Sequence, residues 1–175
     1  MNLPTWITVS RLLGIPLVFV LLADPTDGRR WLATGVFLIA AGTDWLDGYL
    51  ARRLNQVTDL GKFLDPLVDK LLVLAPLMVL VALGQVPAWG VFLILARELT
   101  IAGWRVNPAM QQGSVPGANL WGKAKTVVQI AAIALLLSPL STQVPFWAGL
   151  LFWLAVALTW ISGLIYLFPR VEGGG

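Results

Sequence analysis

Five aspartates crowd a single stretch of this chain: Asp44, Asp47, Asp59, Asp65 and Asp69. The whole sequence holds only nine acidic residues, so most of its capacity for carboxylate chemistry lies between residues 44 and 69. Asp44 and Asp47 are three apart and Asp65 and Asp69 are four apart, spacings that put each pair on one face of its own helix. Two such helices side by side make a four-carboxylate cage, a donor set suited to hard divalent cations. Gly48 and Ala51 share the angular sector of Asp44 and Asp47, which leaves backbone exposed beside the carboxylates, with Arg52 at the rim. Small residues there let a flat base or ribose approach, and they serve equally for close helix packing. Gly61 reads either as part of such a site or as a helix-start turn, and Asp59 as a capping or loop residue.

The rest of the composition narrows the chemistry further. The chain has no cysteine and no histidine, which excludes disulfides, thiol nucleophiles, Cys/His zinc sites and imidazole bases. Acid–base work therefore falls to Asp, Glu, Lys or Tyr. The net charge is +3 and the basic residues are dispersed, so no nucleic-acid-binding stripe is present.

The elements that must carry these aspartates are apolar. With 175 residues, 58% of them hydrophobic, and a mean hydropathy of +0.80, the expected class is an all-α polytopic membrane protein of one domain spanning residues 1–175. Six segments approach the roughly 20 residues that a spanning helix needs. They run at about 4–23, 31–53, 63–83, 87–106, 121–140 and 145–168, and they predict six transmembrane helices in a bundle. Turn-forming residues separate them, as in Asp24-Pro25-Thr26-Asp27-Gly28 and Gly84 to Pro87. The N-terminal MNLPTWITVS has no basic region and no small-residue cleavage site, so no cleavable signal peptide is expected.

An N-terminus on the cytoplasmic side puts Arg52, Arg53, Lys62, Arg105, Lys123, Lys125 and Arg170 on that side and only Arg29 and Arg30 outside, as the positive-inside rule favours. The aspartate stretch then lies at the cytoplasmic end of the second and third helices. Trp6, Trp31, Trp89, Trp121 and Trp147 fall near helix ends, where an aromatic belt would anchor them.

A carboxylate at the centre of a membrane helix costs about 2.5–3.5 kcal/mol. Four unpaired ones would cost on the order of 10 kcal/mol, comparable to the net stability of a domain. Pairing with Arg52, Arg53 and Lys70 is the purely structural solution, but three cations would not neutralise the cluster in the right places. Metal binding explains the geometry better. A cation transporter is the alternative of a different class; against it, the acids gather at one end and no Gly/Pro-broken helix pair suggests an inverted repeat.

The arrangement Asp44-x2-Asp47-Gly48-x2-Ala51-Arg52-x8-Gly61-x3-Asp65-x3-Asp69 resembles, without a departure, the signature of the CDP-alcohol phosphotransferases. The resemblance implies a six-helix membrane enzyme, usually a homodimer, that moves a substituted phosphate from a CDP-alcohol to a second alcohol and releases CMP. It implies that Asp44, Asp47, Asp65 and Asp69 hold two divalent cations, Mg2+ or Mn2+, and that Asp69 also deprotonates the acceptor hydroxyl. Gly48, Ala51, Arg52 and Gly61 would form the CDP site. Three further stretches resemble the branch that transfers phosphatidyl from CDP-diacylglycerol to sn-glycerol 3-phosphate. They are Asn2-Leu3-Pro4-Thr5 with Thr8 and Arg11, Ala96-Arg97-Glu98-Leu99 with Arg105, and Trp121-Gly122-Lys123-Ala124-Lys125-Thr126 with Gln129.

An acceptor bearing a phosphate needs cations beside the cage, preferably arginine for its forked donors. Arg97, Arg105, Lys123 and Lys125 are the candidates. Each also has a plainer reading: Arg97 as an ion pair with Glu98, Lys123 as a topology charge. Thr8 and Arg11, three apart on one face of an apolar helix, are candidates for contact with lipid or phosphate; Arg11 could instead position Thr8. Another acceptor, such as inositol phosphate, serine or phosphatidylglycerol, would keep the cage and change the basic pocket.

Overall fold

A computed structural model describes the backbone of residues 3–53, 59–106 and 120–167, and the side chains of residues 11–43, 66–104 and 121–165. Among the described residues the chain is all helical. Its elements are α1 (Leu3–Leu22), α2 (Asp27–Arg53), α3 (Asp59–Ala82), α4 (Ala88–Val106), α5 (Leu120–Leu137), the one-turn α6 (Leu140–Gln143) and α7 (Pro145–Leu167). The six long helices correspond to the six apolar segments of the sequence. One segment, Pro145–Ile165 with a mean hydropathy of 2.0, is long and apolar enough by itself to cross a membrane among the described residues.

Helix ends follow local chemistry. Thr26 precedes α2 and its Oγ1 accepts from the Arg29 backbone N–H at 3.4 Å, the bond pattern of an N-cap. This cap starts the helix at Asp27, four residues ahead of the apolar run. At the far end of α3, Gly84 takes φ +68°. There the Gln85 N–H reaches Leu80 O and the Gly84 N–H reaches Val81 O, both at 2.9 Å. These two bonds make a Schellman ending, which only a residue tolerant of the left-handed region allows at no steric cost.

α1 packs on α2 and α3; α5 packs on α7, α2 and α3; α4 packs between α3 and α7. The apolar core draws on the ends of α1, α3 and α5 (Val18, Leu22, Leu77, Leu80, Ile133, Leu137) and the beginnings of α2, α4 and α7 (Ala33, Phe37, Val91, Ile94, Ala148, Phe152). It therefore fills one end of the bundle. Gly90 admits the Phe152 ring: a Cβ there would lie 2.8 Å from two ring carbons.

Arg30 fastens that same end. Its side chain is buried and donates to Leu136 O at 2.8 Å, Leu137 O at 3.0 Å, Ser141 Oγ at 2.8 Å and Gln85 Oε1 at 3.2 Å. The last carbonyls of a helix have no partner within it, and here α2 supplies one. The sequence offered Arg30 only as a topology charge on the outer side; the structure gives it this capping role as well. Its neighbour Arg29 makes an exposed ion pair with Asp24 at 2.7 Å.

Candidate active site

The end of the bundle opposite the apolar core carries the candidate site residues. α2 ends at Arg53 and α3 begins at Asp59, close together in sequence. Asp44 and Asp47 in the last turns of α2 and Asp65 and Asp69 in the first turns of α3 therefore belong to the same end. The helical backbone bears out the face-sharing spacing of each pair. The side chains of Asp44, Asp47, Gly48, Ala51, Arg52, Gly61 and Asp65 lie outside the described residues, as do those of Thr8 and Arg105.

Asp69 is the member of the aspartate set whose surroundings are described. Its Oδ1 accepts from Arg11 Nη1 at 3.2 Å. The Arg11 side chain is 1% exposed and that of Asp69 is 47% exposed. A guanidinium buried that deeply needs a counter-charge, and Asp69, 58 residues away in sequence, supplies it. Arg11 is thus directed at the aspartates from α1. Lys70, weighed as a partner for them, donates to Pro66 O at 2.9 Å.

The donor chemistry fits a hard divalent cation. Four aspartates belong to two adjoining helix ends, Asp69 remains half exposed with its Oδ1 oriented, and the chain has no thiolate or imidazole ligand to offer a softer metal. Among the described residues no cluster of three or more ligating side chains occurs, since Asp69 alone of the four is described at side-chain level.

A second polar cluster joins α4, α5 and α7. Glu98 Oε1 accepts from Arg97 Nη1 at 3.3 Å and from Lys125 Nζ. Arg97 Nη2 donates to Ser162 Oγ at 2.9 Å, and the Ser162 hydroxyl donates to Thr159 O at 3.0 Å. Gly163 makes room for this reach, because a Cβ there would stand 2.9 Å from Arg97 Nε and 3.1 Å from its Cγ. Arg97 and Lys125 are thus brought together, while Lys123 is exposed and two residues from Lys125, hence on a different face. The sequence offered Glu98 as an ion-pair partner of Arg97, and that pair forms; it did not point to Lys125 as a second partner, nor to Ser162 or Gly163. The signal available was that Glu98 is the sole acid between Asp69 and Glu172.

Beside the cluster, Gln129 Nε2 and Thr159 Oγ1 are buried without a hydrogen-bond partner among the described residues. Each such group costs about 1–3 kcal/mol until a water or ligand atom meets it. Gln129 lies one turn beyond Lys125 on the same face of α5, so the polar lining extends inward from the ion pairs.

These helices and this signature define a class, and comparison with known proteins agrees. The family model of CDP-alcohol phosphatidyltransferase matches residues 1–161, and the chain belongs to that family. Curated relatives carry the name CDP-diacylglycerol–glycerol-3-phosphate 3-phosphatidyltransferase. The protein of that name from Bacillus subtilis (strain 168) is 44% identical, over 98% of this chain and 96% of its own length. Those from Rickettsia bellii and Haemophilus influenzae are 36% and 35% identical, over 94% and 95% of this chain and 93% and 91% of theirs. The family expected from the aspartate signature is therefore the one found.

Proposed function

We propose that this protein transfers phosphatidyl from CDP-diacylglycerol to sn-glycerol 3-phosphate, giving phosphatidylglycerophosphate and CMP. What carries this reading is the near full-length similarity to relatives named for that reaction. The acceptor hydroxyl oxygen attacks the lipid-side phosphorus, a new P–O bond forms, and the bond from that phosphorus to the CMP oxygen breaks. CMP leaves with the bonding pair, and the hydroxyl proton passes to Asp69.

Asp44, Asp47, Asp65 and Asp69 would hold two divalent cations, Mg2+ or Mn2+, which when bound supply charge neutralisation to the pyrophosphate and the leaving oxygen. Arg11 keeps the Asp69 carboxylate oriented through the 3.2 Å bond to Oδ1. Gly48, Ala51, Arg52 and Gly61 form the CDP site. Arg97, Arg105, Lys123 and Lys125 receive the acceptor phosphate, with Arg97 and Lys125 as its centre because the two converge on one carboxylate oxygen.

The six long helices cross the membrane as a bundle, with the N-terminus and the site at the cytoplasmic face. The charge distribution and the exposed Trp31, Trp89, Trp121 and Trp147 in the first turns of their helices support that placement. The acyl chains of CDP-diacylglycerol stay in the bilayer while its head enters the polar end. A homodimer belongs to this reading on the strength of the family resemblance.

The test is CMP release by the purified protein with CDP-diacylglycerol, Mg2+ and a panel of acceptors, with a chelator control. The expected outcome is release with glycerol 3-phosphate and loss on chelation. Release with inositol phosphate, serine or phosphatidylglycerol in its place would transfer the reaction to that acceptor and discard the assignment of glycerol 3-phosphate.

A further inference from the structure

We infer that Glu98 is a positioning residue for the acceptor: it holds the Lys125 ammonium and the Arg97 guanidinium in the arrangement that receives the acceptor's phosphate. The inference rests on the reading of Arg97 and Lys125 as phosphate ligands.

A single oxygen, Glu98 Oε1, accepts from a cation on its own helix and from one on α5. Two cations repel at short range, and inside a bundle that repulsion is weakly screened. A carboxylate between them reverses its sign and lets both stay. Adjacent helical residues do not face each other, so the Arg97–Glu98 bond requires the arginine to curl back. Ser162 holds its other terminal nitrogen and Gly163 clears its path.

Lysine has a flexible four-carbon stem carrying a point charge. Lys125 is largely buried, and without a fixed acceptor its ammonium would turn toward water or headgroups. The trio keeps a net positive charge, which is what a phosphate dianion needs. No other acid lies between Asp69 and Glu172 to take over the task.

Simple charge arithmetic makes the opposite prediction. If Glu98 only opposed the phosphate by its negative charge, removing that charge would tighten acceptor binding. The sign of one measurement separates the two.

The experiment compares Glu98→Gln, Glu98→Asp, Arg97→Met, Lys125→Met and the Glu98→Gln/Lys125→Met double variant, using full-length protein in lipid–detergent micelles. KM is measured separately for glycerol 3-phosphate and CDP-diacylglycerol. Glu98→Gln raises the acceptor KM about tenfold, the scale of one charge-assisted hydrogen bond. The CDP-diacylglycerol KM stays within about twofold, since uniform binding of the donor is untouched. Glu98→Asp recovers part of the loss, and the double variant adds little to Lys125→Met because the two residues act as a unit.

A structural role alone would lower thermal stability without dividing the two KM values. If Glu98→Gln lowers or preserves the acceptor KM while Lys125→Met raises it, the inference is overturned and the phosphate reading stands. If Lys125→Met and Arg97→Met both leave the acceptor KM unchanged, the phosphate reading itself falls. Should Glu98→Gln not fold, Glu98→Asp decides: it retains the charge but withdraws the carboxylate by one methylene, so an acceptor KM identical to wild type overturns the inference.

Discussion

Asp69 is held from one side by Arg11, a buried cation that reaches it from another helix. That arrangement gives the carboxylate a fixed orientation before any substrate arrives, the condition under which a base or ligand acts without reorganising. Asp69→Asn preserves shape while removing both the negative charge and the proton acceptor. Its expected effect is a loss of CMP release of about 10²–10⁴-fold, the range for general bases, together with weaker Mn2+ binding followed by electron paramagnetic resonance. Wild-type activity and wild-type Mn2+ binding would remove Asp69 from both roles. The spacing of the aspartates was legible in the sequence because helical periodicity is local. The partner of Asp69 was not: Arg11 pointed only to lipid, phosphate or Thr8, since a contact across 58 residues leaves no mark in either neighbourhood.

Among elements, α7 shows how a glycine sets a separation. The Arg97 side chain crosses α7 at Gly163, where even a methyl group would collide with Nε and Cγ. Gly163→Ala brings a better helix former, favourable by about 1 kcal/mol in propensity, and simultaneously displaces the arginine from Glu98 and Ser162. The expected result is a higher acceptor KM with little loss of thermal stability. A stable variant with an unaltered KM would show that the arginine re-routes at no cost to binding.

The six long helices were legible as apolar runs, and the limits of α1, α4 and α7 match to within one residue, but the starts of α2 and α3 were not legible. α2 begins at Asp27 and α3 at Asp59, each four residues ahead of the hydrophobic signal, because caps and turns fix where a helix starts. The one-turn α6 was invisible for a related reason: Ser138 to Pro145 reads as a break, and a single turn carries no periodicity. Ser162 and Gly163 sit in a strongly apolar helix, where two adjacent small residues carry no signal of what reaches them from another helix.

Across the whole molecule, the two ends differ in kind. One is filled by Phe37, Leu80, Leu137 and Phe152; the other carries ion pairs from four helices, Arg11 on α1 with Asp69 on α3 and Arg97 and Glu98 on α4 with Lys125 on α5, and α7 adds the Ser162 hydroxyl. Orientation in the membrane is directly testable because the chain has no cysteine of its own. In intact cells a membrane-impermeant maleimide should label Gly28→Cys, in the exposed first turn of α2, and spare Gln112→Cys, between α4 and α5 in sequence. The reverse pattern would invert the proposed topology.

Arg30 gives the asymmetry a mechanical sense. It bolts the beginning of α2 to the last carbonyls of α5, at the end where the side chains already interlock. The other end is joined by ion pairs, with Asp69 half exposed among them. The division of labour is that of a clothes-peg: one end is bolted shut, and the gripping surface lies at the other.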